Sequence, residues 1–156
     1  MGTGPVGTGL VSTDDRGESL LELLVAVAIL GVAVIAIVGG IGVSVFMSDV
    51  HRKQATAGAG VRDFGEAVEN QVMAGGYFAC AAPAKYAAPA GFTVPPGFTS
   101  SVSSVKYWTG SAWSASCGTD SGLQQLTLQV ASGDGRASER LEVVVRKRCG
   151  LGEALC

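Results

Sequence analysis

In the stretch RGESLLELLVAVAILG (residues 16–31) a single carboxylate, Glu22, stands where a polar segment gives way to an apolar one. On insertion scales a charged side chain at the centre of a membrane-spanning helix costs roughly 2.5–3.5 kcal/mol, so such a group is normally paired and functional. Glu22 sits near the end of its run, where the cost is smaller, and a plainer role for it is to reach back to the membrane surface. Little else can do bond-making chemistry. The one histidine, His51, lies within His51-Arg52-Lys53 after the apolar run, and without a second base no Ser-His or Cys-His pair can be built. No catalytic residue and no cofactor is expected, and the chain is not read as an enzyme.

The other chemistry-bearing residues lie beyond that run. Zinc favours close ligand pairs such as C-x-x-C, which Cys80, Cys117, Cys149 and Cys156 do not form. An even number of cysteines on one side of an apolar span points to disulfides in an oxidising space, with three possible connectivities. The pairing expected is Cys80–Cys117, closing a long loop, with Cys149–Cys156 clipping the tail. Gly133-Asp134-Gly135 offers calcium a single carboxylate and reads instead as a tight turn, so no metal site is expected. Tyr107, Trp108 and Trp113 could form a stacking platform for single-stranded nucleic acid, but cross-strand aromatics stabilise a hairpin without any ligand. Arg146, Lys147 and Arg148 are too narrow a basic patch for a phosphate-binding face, and nucleic acid is not expected as a partner.

These residues need elements to hold them. The chain has 156 residues and a net charge of −2; with 47% hydrophobic and 15% charged residues, charge-driven disorder is excluded as the main state. From Leu23 to Met47 nothing is ionisable, and about 25 residues at ~1.5 Å each give a helix of roughly 37 Å, longer than the ~30 Å hydrocarbon core. A secretory signal would have an apolar region of only ~7–15 residues. The small-x-small triplet Ala55-Thr56-Ala57 is cut off from the run by His51, Arg52 and Lys53. A retained anchor is therefore expected. Ahead of it, Met1 to Arg16 has no apolar periodicity and reads as a leader. Behind it, Val50, Ala57, Val61, Phe64, Val68 and Val72 recur near helical spacing, with Arg62, Asp63, Glu66 and Glu69 on other faces. Gly75-Gly76 ends that helix.

Residues 77–99 hold four prolines and read as a loop, and two hairpins follow. The first turns at Thr109-Gly110-Ser111; the second sets Leu126, Leu128 and Val130 against Leu141, Val143 and Val145. Period-two alternation marks a half-buried antiparallel sheet, and the apolar face of residues 61–72 is its natural cover. The expected fold class is α+β: a long amino-terminal transmembrane and amphipathic α-helix packed on a small antiparallel β-sheet, stabilised by disulfides. The expected segments are 1–17 leader, 18–47 spanning helix, 48–76 amphipathic continuation and 77–156 exterior domain.

With GESLLELLVAVAILG in view, the sequence resembles the prepilin amino-terminal segment shared by type IV pilins and type II secretion pseudopilins. The match is a polar leader ending in Gly17, a glutamate at the fifth position after it, and the Val27-Ala28-Ile29-Leu30-Gly31 run. The resemblance implies a pilin-like fold, cleavage between Gly17 and Glu18 by a membrane-embedded prepilin peptidase, and methylation of the new amino terminus on Glu18. It also implies that Glu22 pairs with the amino terminus of a neighbouring subunit as a filament grows. The sequence departs from the family in carrying Glu18 where most members have phenylalanine, and Gly39 where many major pilins have a kinking proline.

The implied partners are the peptidase, other pilin subunits and the assembly machinery. The implied place is the cytoplasmic membrane, single-pass with the carboxyl-terminal domain outside, then a surface filament. The basic residues after the span argue for the reverse orientation, but the cysteines and the prepilin pattern point outward. The expected function is a structural subunit, a minor pilin or pseudopilin. The alternatives are an adhesion or DNA-binding tip module and an uncleaved single-pass surface protein.

Overall fold

A computed structural model of the chain describes residues 15–149, with side chains described from Leu20 onward. One helix, α1, covers Asp15–Met73, and four strands follow: β1 (Phe98–Trp108), β2 (Trp113–Ser114), β3 (Leu123–Ser132) and β4 (Ser138–Arg146). The chain divides after Phe46 into two compact units.

The first unit is the apolar part of α1. Its leucines, isoleucines and valines are all exposed, from Val25 at 46% to Ile35 at 75%, so nothing within this unit shields them. Length and composition make this helix able to cross a membrane.

The second unit is an α/β two-layer body. Its sheet has the order β2-β1-β3-β4, antiparallel throughout. Period-two alternation puts Gln124, Leu126, Leu128, Val130 and Ser132 of β3 on the inner face, where all five are buried. The face of α1 bearing Ala57, Val61, Phe64, Val68 and Val72 closes over them, which is the cover that the helical spacing predicts. Two glycines let the layers approach: a Cβ at Gly65 would lie 3.0 Å from Leu141 Cδ2, and one at Gly60 would lie 3.1 Å from Pro95 Cγ. Phe64 stacks on Phe92 of the connecting segment with ring centroids 4.7 Å apart.

The helix ends as its glycine pair predicts. Gly75 adopts φ +95°, its N–H reaches Val72 O, and Gly76 N–H reaches Gln71 O, so the last carbonyls are satisfied. The segment after it is more structured than a plain loop: Pro83–Tyr86 forms a 3-10 turn, and β1 begins at Phe98.

The register refines the hairpins. Leu126 opposes Val143 and Leu128 opposes Leu141, while Val130 faces Glu139 and Val145 faces Gln124. The first hairpin pairs Trp108 with Trp113, leaving a four-residue connection in which Thr109 N–H donates to Ala112 O. Strand β1 carries a bulge at Ser103, whose hydroxyl donates to Thr127 O.

Two glycines of α1 should respond oppositely to a side chain. Gly65→Leu overpacks the helix–sheet contact and should cost about 1–3 kcal/mol, whereas Gly58, with open space around its Cβ position, should gain up to ~1 kcal/mol as Gly58→Ala. Thermal and urea unfolding of the detergent-solubilised full chain, followed by circular dichroism, measures both.

Candidate functional site

The amino-terminal site is built on one helix. Gly17 and Glu18 lie in its first turn, and Glu22 follows one turn later. Glu22 is exposed, and among the described residues it has no hydrogen-bond or ion-pair partner. Its neighbours Leu20, Leu21, Leu23 and Leu24 are all more than 60% exposed. A carboxylate at the start of a long hydrocarbon surface is a group that calls for a counter-charge.

In the second unit the structure brings together residues that no local pattern links. Cys80 and Cys117 form a disulfide with Cα atoms 5.6 Å apart, across 37 residues, as expected. A crosslink of that span contributes about 3–4 kcal/mol in the chain-entropy account. The second expected pair, Cys149–Cys156, includes a residue outside those described.

Beside the disulfide, Asp120 accepts four hydrogen bonds. Tyr77 OH (2.6 Å) and Gly122 N–H (2.7 Å) donate to Oδ1. Cys80 N–H (2.7 Å) and Gln124 Nε2 (2.9 Å) donate to Oδ2. Cys80 holds φ +50°, a left-handed conformation uncommon for a non-glycine residue, and both the crosslink and the Asp120 bond keep it there. Gln124, fully buried, also donates to Phe78 O and accepts from Tyr86 OH. Tyr107 OH donates to Ala81 O, so the whole segment from Tyr77 to Tyr86 is tied to the sheet.

Burial works to raise the Asp120 pKa, but the bonds from Tyr77, Cys80, Gly122 and Gln124 together outweigh it and hold the carboxyl below its ordinary range. Burial, and then the bond to Asp120, push the Tyr77 hydroxyl well above the ordinary tyrosine range.

A second clamp fastens the β3–β4 turn. Gly133-Asp134-Gly135 is a turn, with Gly135 at φ +72°. The Asp134 carboxylate takes the Lys53 ammonium at 2.6 Å and the Ser132 hydroxyl at 2.7 Å. Lys53 also meets Asp49 at 2.7 Å, and Arg136 reaches Asp49 at 3.5 Å. The Lys53 bond foremost, then Ser132 and the Arg136 N–H, hold Asp134 well below the usual carboxylate range.

The aromatic platform is not assembled as such. Tyr107 is 8% exposed and belongs to the core, because it is in phase with Val105 on the inner face of β1; Trp108 and Trp113 pack edge to face 5.3 Å apart across the hairpin. His51 is exposed on α1. The Cys80, Cys117 and Asp120 ligand atoms lie within 4.8 Å of one another, but both sulfurs are committed to the disulfide. The Asp120 hub had one sequence signal: Gln124 falls in phase with Leu126, Leu128 and Val130, a polar residue at a core position.

Residues 13–43 match the family model for the prokaryotic N-terminal methylation motif. The match covers Gly17, Glu18, Glu22 and most of the apolar run, and it supports a prepilin segment like that of type IV pilins and pseudopilins. Together with the apolar helix it fits a membrane-anchored pilin. No curated protein and no solved structure matches the chain.

The clamps make acid stability predictable. Asp120 and Asp134, with folded pKa values below the unfolded value of ~4, stabilise fully above that pH and lose the contribution as pH falls through their folded values. Stability of the wild-type chain should drop below about pH 4, and Asp120→Asn should flatten part of that drop. Tyr77, whose pKa is raised, adds stability that is present below its unfolded value of ~10 and lost above it; Tyr77→Phe should remove part of the alkaline loss, the raised Tyr86 and Lys53 groups keeping the rest. Melting temperature against pH checks both.

Proposed function

We propose that this chain is a pilin-like structural subunit, a minor pilin or pseudopilin, made as a precursor and assembled into a type IV pilus or a type II secretion-like filament. In this reading residues 1–17 are a leader removed between Gly17 and Glu18 by a prepilin peptidase, which also methylates the Glu18 amine. Residues 18–47 span the cytoplasmic membrane, residues 48–76 continue the helix outside, and residues 77–156 form the exterior domain. The chain's work is assembly, not turnover of a substrate.

The observation that carries the reading is the Glu22 carboxylate, exposed and without a partner among the described residues, at the start of an apolar helix inside the methylation motif. A cut before Glu18 creates an ammonium one helical turn away. Residues four apart share a helix face, so that amine can meet Glu22 of its own chain or of a neighbouring copy, and only the second pairing joins two subunits. In a low-dielectric surrounding such a pair selects the depth at which a subunit joins. The Cys80–Cys117 disulfide supports an exterior domain in an oxidising compartment.

Glu22→Gln tests this while keeping side-chain size. The variant should accumulate in the membrane and be processed normally, yet enter filaments about tenfold less than wild type, the loss expected for one charge-assisted bond. Incorporation at wild-type levels, measured by immunoblot of sheared filaments, would remove the assigned role.

A further inference from the structure

The basic residues that follow the apolar run are joined, through the fold, to a turn of the sheet. Arg52 and Lys53 come five and six residues after Met47, about one and a half turns beyond the end of that run. The β3–β4 turn reaches the same level of the helix. Asp134 takes Lys53 at 2.6 Å, and Arg136 reaches Asp49 at 3.5 Å and Asp134 at 3.6 Å. Arg52 and Arg136 thereby meet opposite oxygens of the one Asp49 carboxylate, Oδ1 and Oδ2. Neither is buried by it: the Arg52 side chain is 79% exposed and that of Arg136 48%. Three cations here meet two carboxylates, so the cluster carries one positive charge in excess. His51, also exposed, adjoins it on α1.

Position decides what that charge meets. At ~1.5 Å per residue Asp49 lies about 3 Å past Met47 and Arg52 about 7.5 Å past it, while the headgroup layer on each side of the hydrocarbon is roughly 5–7 Å deep. A span that ends at Met47 therefore holds this cluster among the lipid phosphates. Snorkelling accounts for basic side chains on the helix itself. It does not account for Arg136, which the sheet delivers to the same carboxylate. A phosphodiester brings one negative charge, the amount the cluster lacks, and guanidiniums suit it as forked donors. In phosphatidylcholine that phosphate already has an ammonium beside it, whereas in phosphatidylglycerol it has none, so the anionic lipid is the better fit.

We infer that the β3–β4 turn is a membrane-docking surface of the head, at which Arg52 and Arg136 clamp the phosphate of an anionic phospholipid. The inference rests on the reading of residues 18–47 as the membrane span, and it adds a lipid partner and a fixed posture. One end of the sheet is held against the bilayer while the subunit stays anchored, and the contact is lost when the subunit leaves the lipid. It also gives the basic residues after the span a role that does not depend on which side of the membrane they face.

The test uses the full chain in vesicles of phosphatidylcholine, alone or with about one-third phosphatidylglycerol, each holding the same small amount of a lipid spin-labelled on its headgroup. A fluorophore on Ser138→Cys, exposed beside the turn, reports docking by quenching. One on Ser111→Cys is the control, because Ser111 lies beyond the far end of β1, whose first residue pairs with Ser132 next to the turn. Quenching at position 138 should be stronger with phosphatidylglycerol, should fade as salt is raised, and should be absent at position 111. Arg52→Gln and Arg136→Gln should each lower the docked-to-free ratio about fivefold, the ratio for one basic side chain at an anionic surface. Arg52→Gln removes only an exposed pair, so the fold stays intact. Equal quenching in the two lipids, indifference to both arginine changes, or no quenching at position 138 overturns the docking. Flotation of the same samples after an alkaline wash separates the two claims. A chain that floats without the lipid-dependent signal defeats the docking alone; one that does not float defeats the membrane span on which it rests.

Discussion

A helix that is hydrocarbon on every side cannot be left in water, and this demand governs the rest of the molecule. Across the apolar run the side chains are about half to three-quarters exposed within the chain, so the cover must come from lipid or from other helices. Each buried CH₂ is worth about 0.8 kcal/mol, which makes the covered state dominant over any fine adjustment in the head domain. Where the pattern turns amphipathic, after Met47, the demand narrows to one stripe, and the chain meets it with its own sheet. One continuous element thus passes from needing a partner phase to carrying its own core.

The head is small, and its sheet alone has little to hold it. Only one inner face is covered, β2 has two residues, and the segment from Tyr77 to Gly97 has no strand. Two polar devices compensate. The Cys80–Cys117 crosslink limits the unfolded chain, and Asp120 gathers donors from the loop and the sheet onto one carboxylate. The Lys53–Asp134 pair does for the β3–β4 turn what Asp120 does for the loop. Both depend on ionised carboxylates, so the head is rigid where it is charged.

Much of this was legible in the sequence because it is periodic. The helix stripe from Ala57 to Val72, the helix stop at Gly75, the alternation of β3 and β4 and the Cys80–Cys117 bridge follow from spacing, turn chemistry and cysteine arithmetic. What was not legible is what depends on distant residues meeting. Tyr77, Cys80, Tyr86, Asp120 and Gln124 share no period, and Lys53 and Asp134 lie 81 residues apart. Tyr107 was open to two readings, a stacking platform or a hairpin aromatic; its place in phase with the buried Val105 puts it in the core. The amino-terminal residues were the opposite case: Glu22 shows its meaning through its surroundings in sequence, since among the described residues nothing pairs with it.

The claim at the centre of this account is that Glu22 awaits an amine made by cleavage before Glu18. Intact-mass and terminal-peptide spectrometry of the membrane-extracted protein tests it most directly. The account predicts a chain that begins at Glu18, with a methyl group on its nitrogen. A mature protein that still begins at Met1 has no such amine beside Glu22, and would contradict the account.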